Sequence, residues 1–67
     1  MDREYRIRQV SEEIKRLAKM HILYRIEQTP IFQSQKERVK ALISSNQINV
    51  RTDLDPVSRN LFRRYLG

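Results

Sequence analysis

The amino-acid sequence predicts an all-α fold: three short amphipathic helices joined by a Thr-Pro link and an extended loop. Three observations lead there. Only one Gly and two Pro occur in 67 residues, which leaves few places for a hairpin to turn. Apolar residues recur three and four apart along most of the chain, the period of a helix face rather than a strand. Ser, Asp and Pro stand where helix N-termini need an acceptor or a residue without an N–H.

The first helix is expected from about Arg3 to Glu27. Ile7, Val10, Ile14, Leu17 and Tyr24 form a seam, with His21 filling the gap, and Ala18, Ile22 and Ile26 widen it. Glu4 to Arg8 and Glu12 to Arg16 have the spacing of stabilising ion pairs along a helix. Ser11 followed by Glu12 and Glu13 resembles an N-cap with acidic first-turn residues. On that reading the helix starts properly at Ser11, and residues 1–10 stay frayed until a partner binds them. Thr29-Pro30 ends the helix, because the residue before proline is driven from the α region, and Ile31-Phe32-Gln33 form the link.

Ser34-Gln35-Lys36-Glu37 fits a capping box, in which the Ser hydroxyl and the Glu carboxylate each take an exposed backbone N–H. Val39, Leu42 and Ile43 make the apolar face of this second helix. Ser44-Ser45-Asn46 stops it, with Asn46 suited to the left-handed conformation at a helix end. Ile48 and Val50 alternate with polar neighbours and read as an extended loop carrying two inward anchors. The third helix opens at Asp55-Pro56, with Asp as N-cap and Pro in the first helical position. Val57, Leu61 and Tyr65, with Phe62 and Leu66, form its apolar face. Arg63 and Arg64 sit in the last turn, where cations suit the helix dipole.

Size limits what these helices can do. A chain of 67 residues is a single domain, 1–67, and a core of this size contributes only about 3–5 kcal/mol. No Cys is present, so disulfides, thiolate metal sites and thiol nucleophiles are excluded. Stability must therefore come from helix packing, from self-association or from folding onto a partner, and a broad melt at low temperature is expected for the isolated chain. The opening MDREYRIRQ has no hydrophobic signal region, and no apolar run approaches the roughly 20 residues of a membrane span. A cytoplasmic, non-membrane protein is the expectation.

Chemistry is scarce. The sole histidine, His21, lies on the first helix's seam and reads as a packing residue. The carboxylate pairs Glu12-Glu13 and Asp53/Asp55 lack a common direction, and there is no phosphate loop or metal-ligand spacing. No catalytic residues, metal or cofactor are expected. A net charge of +6 and a pI near 10.3, spread from Arg3 to Arg64 among eight carboxylates, fit either solvated helix faces or a polyanion-binding surface. Arg59, Arg63 and Arg64 are the candidate polyanion-binding residues. The spacing of about nine residues between the second and third helices departs from the tight turn of a helix-turn-helix, and only Ser58, Arg59 and Asn60 stand where bases are read.

From Ser11 to Leu66 the chain resembles the sigma-binding region of the flagellar anti-sigma factors. The resemblance rests on Ser11-Glu12-Glu13, Thr29-Pro30, Arg38-Val39-Lys40-Ala41-Leu42 and Asn46-Gln47-Ile48-Asn49-Val50. Asp53-Leu54-Asp55-Pro56-Val57 and Leu61-Phe62 complete it. It implies a non-enzymatic repressor that wraps an alternative sigma factor with its helices and passes through the flagellar export apparatus. Val39, Leu42, Ile43, Ile48, Val50, Val57, Leu61 and Phe62 would then be the anchors buried against the sigma factor. The alternatives are a small basic helical nucleic-acid-binding protein, dimeric through the Ile7–Tyr24 seam, and a self-associating structural subunit.

Overall fold

The computed structural model describes residues 2–25 and 29–67. These residues form four helices, α1 (Arg3–Ile22), α2 (Pro30–Ser45), α3 (Val50–Asp53) and α4 (Pro56–Tyr65), and among them no strand occurs. The all-α class is as the periodicity implies. The number of helices and most of their boundaries are not.

In α1 the seam is the centre of the core: Val10, Ile14 and Leu17 are fully buried and Met20 nearly so. The helix begins at Arg3, not at Ser11, so residues 3–10 belong to it. Ile7 packs against the core, and the Arg3 guanidinium pairs with Asp53, which gives the first turns something to hold. Ser11 is no cap; it is buried mid-helix and its hydroxyl donates to Asp55 Oδ1 at 3.3 Å. Beyond His21 no element among the described residues covers the seam. Ile22, Leu23 and Tyr24 are 65–66% exposed, the helix ends, and Arg25 takes a left-handed φ of 53°. The expected continuation through Ile26 and Glu27 lies outside the described residues.

Thr29-Pro30 opens α2 and does not close α1, whose last helical residue is Ile22. Thr29 is the N-cap, its hydroxyl accepting from the Phe32 N–H at 3.2 Å, and Pro30 takes the first position. The link Ile31-Phe32-Gln33 is thus helical, and Ser34 is an exposed residue inside the helix. The earlier start sets Phe32, Gln35 and Val39, all buried, on one face against α1. A capping box at Ser34 would have left Phe32 on a loop. At the far end, Ile48 N–H donates to Ile43 O at 3.0 Å and Gln47 N–H to Ser44 O at 3.2 Å, the Schellman arrangement. Gln47, with φ 54°, is therefore the left-handed residue, while Asn46 sits at φ −98° and its side chain donates to Leu42 O.

The segment expected to be extended contains the helical turn α3. Asn49 caps it by accepting the Arg51 N–H at 3.0 Å, and the Asp53 carboxylate accepts the Asn49 N–H at 2.8 Å. Ile48 before it and Leu54 after it are buried, so the turn hangs between two anchors. A two-residue joint then leads to α4, which starts at Asp55-Pro56 as expected. Its inward face is Ser58, fully buried, with Leu61, Phe62, Tyr65 and Leu66 packed on the core. Val57 lies off that face and is 58% exposed.

Helix α1 packs against both α2 and α4, and α3 against α4. The radius of gyration of 11.4 Å compares with about 11 Å for a folded chain of this length and about 25 Å for an unfolded one. Among the described residues no helix is long and apolar enough to cross a membrane.

Candidate functional site

A cluster of three arginines lies where α3 meets α4. An open groove of about 550 Å³ runs between them, lined by Val50, Arg51, Arg59, Phe62 and Arg63. Arg59 and Arg63 are one helical turn apart on α4, which stacks them on the same side. Arg51 reaches the groove because α3 is helical. The Arg59 guanidinium donates to the Arg51 carbonyl at 2.7 Å, so the two segments are tied at the groove itself. The charged residues of its wall are three arginines, and half-buried Phe62 and Val50 supply the apolar floor.

The one carboxylate on α3 is directed elsewhere. Asp53 pairs with Arg3 of α1 and accepts from the Asn49 N–H. Asp55 is similarly held on the α1 side: it accepts from Ser58 N–H at 3.1 Å, Ser58 Oγ at 2.7 Å and Ser11 Oγ at 3.3 Å. The Ser58 hydroxyl bond, with further help from the Ser58 N–H and nearby Lys15, outweighs desolvation and keeps its carboxyl below the ordinary value of 3.8. Both acids are thus engaged away from the arginine wall, which stays cationic.

The residues chosen from sequence fall into two groups. Of the polyanion set, Arg59 and Arg63 converge, while the Arg64 guanidinium rests over the Tyr65 ring at 5.9 Å. Arg51 was missed, because alternation of Ile48 and Val50 disguised a helical turn; Asn49 followed by Asp53, a cap and its reciprocal acid, is the signal that marks it. Ser58, counted among base-reading candidates, is fully buried and cannot reach a ligand. Of the anchors implied by the resemblance, Val39 and Ile48 are buried within the chain's own core. Leu42, Ile43, Val50, Leu61 and Phe62 are partly buried and packed against it, and Val57 is exposed.

His21 belongs to packing. Its Nδ1 and the Tyr65 hydroxyl share a hydrogen bond at 2.7 Å, with the rings edge to face at 5.5 Å, and Tyr65 also meets Phe32 edge to face at 5.9 Å. One tyrosine therefore locks α4 to α1 and α2. Among the described residues no group of acidic or His side chains has the geometry of a metal site. No family model, curated protein or solved structure matches the chain.

Proposed function

We propose that this protein is a non-enzymatic nucleic-acid-binding module that holds the phosphate backbone in its α3–α4 groove. The observation that carries this is the convergence of Arg51, Arg59 and Arg63 on one groove in a chain of net charge +6. Guanidinium groups bind phosphate oxygens in a planar, bidentate fashion, and the acids beside them are committed to other partners. Each phosphate neutralised releases counterions, so affinity must fall with salt, by about 0.9 log units per log unit of salt for each contact on duplex DNA. Fluorescence anisotropy with a labelled duplex, titrated across a series of salt concentrations, tests it. The wild-type slope should be about −3 or steeper, and replacing all three arginines by Glu should abolish binding. Unchanged affinity and slope in that variant would sink the proposal.

Sequestration of an alternative sigma factor is the second reading. The resemblance in sequence supports it, and so do the exposed apolar residues Ile22, Leu23 and Tyr24 at the end of α1 and Ile31 at the start of α2, each 65–66% exposed, since exposed large apolar groups suit protein contacts. Pull-down from nuclease-treated bacterial extract separates the two readings. Near-stoichiometric, salt-resistant recovery of a sigma factor, lost on Leu23→Asp, would favour this one.

A further inference from the structure

Helix α4 has a third face, belonging neither to the core nor to the arginine groove. At about 100° per residue, Val57, Asn60 and Arg64 fall within about 60° of one another. All three are exposed; the stripe borders the core-packed Leu61 and stands away from fully buried Ser58 and from half-buried Phe62 and Tyr65. Arg63 borders it, about 60° from Asn60, and Arg59 lies about 40° further round, toward the arginine groove. Val57, 58% exposed in the first turn of α4, and Asn60 stand outside the hydrophobic core cluster.

We propose that α4 is a reading helix for duplex DNA, lying in the major groove with Val57, Asn60 and Arg64 toward the base edges. This rests on the nucleic-acid reading above and names its substrate. A single helix fits the major groove, which is about 12 Å wide. The ten residues of α4 span about 15 Å, enough for three or four base pairs. The three side chains match the three main kinds of major-groove contact: an apolar group for the thymine methyl, an amide for adenine N6/N7, a guanidinium for guanine O6/N7. Arg63 beside the stripe, with Arg59 and Arg51 further round in the groove on long side chains, supplies the phosphate contacts that set a reading helix in register. Arg64, resting against Tyr65 in the free chain, swings outward on its flexible stem to reach a base. The joint between α3 and α4 is only Leu54-Asp55, so the helical turn before the reading helix is close enough to share the backbone on one side.

Selection of bound duplexes from a random-sequence library, with the full chain and with Asn60→Ala and Val57→Ala, tests the inference. The wild type should enrich a short motif containing adenine beside guanine. On that site Asn60→Ala should lose about 10-fold in affinity while its salt slope and its binding to unrelated duplexes stay unchanged. Val57→Ala should relax the preference at a thymine. Both positions are exposed, and circular dichroism identical to wild type confirms that the fold is intact. Binding with no enriched motif, a motif indifferent to both substitutions, or a preference for single-stranded RNA over duplex DNA would overturn the reading helix and leave the phosphate-binding groove standing. Absence of binding to any nucleic acid would defeat the groove as well.

Discussion

Asp55 shows how one side chain holds distant parts of the fold together. It caps α4 through the Ser58 N–H, takes the hydroxyl of Ser58, and receives Ser11 from the middle of α1. These donors favour the charged form, so its carboxyl titrates below the ordinary 3.8. A folded-state value below the unfolded one stabilises the fold above the unfolded value, and that contribution fades as pH falls through the folded value. Asn in its place still accepts at the N-cap but carries no charge. The stability difference between wild type and Asp55→Asn, from urea unfolding, should be constant between pH 7 and pH 5 and should shrink steadily below about pH 4. A difference that does not change with pH would mean that the ionised form contributes nothing. The cap itself was legible, since Asp before Pro is a local pattern. The bond from Ser11 crosses 44 positions, and no spacing rule shows it; from sequence Ser11 resembled a cap because it precedes two glutamates.

At the scale of elements, the beginnings of helices carried the main ambiguity. Thr29-Pro30 satisfies two rules at once: Pro expels its predecessor from the α region, which ends a helix, and Pro suits the first position of the next. Ser34 with Glu37 offered a competing start one turn later. Packing decides between them, because only the earlier start buries Phe32 against α1 and brings it to Tyr65. Thr29→Ala should therefore cost about 1 kcal/mol, whereas Ser34→Ala, at an exposed mid-helix site, should stay within about 0.5 kcal/mol. Chemical denaturation of the two variants side by side measures both. The reverse ranking would restore the capping box as the true start. The same logic explains α3: local alternation suggested an extended segment, while the reciprocal bonds of Asn49 and Asp53 close a helical turn. That difference concealed Arg51, and with it a third of the arginine wall.

For the molecule as a whole, the question is whether the helices make a core without a partner. The sequence suggested that a chain this short leans on something else, and the apolar faces were read as outward anchors. The arrangement of helices turns several of those faces on one another. Val10, Ile14 and Leu17 of α1 meet Val39 of α2, and Ile48 and Leu54 close the core beside α3. Periodicity can identify such faces but carries no information about whether they meet each other or a second protein. A self-contained core predicts a cooperative thermal transition whose midpoint does not depend on protein concentration. It also makes Leu17, fully buried between helices, indispensable: truncating such a side chain costs about 2–5 kcal/mol, close to the whole contribution of about 3–5 kcal/mol from a core this small. Leu17→Ala should lower the midpoint by at least about 10 °C, at about 4–8 °C per kcal/mol for a domain of this size, or abolish the helical circular dichroism signal altogether. If wild type instead melts without a cooperative step, and Leu17→Ala matters only once a partner is added, the core is assembled by binding and the sigma-factor reading gains over the groove.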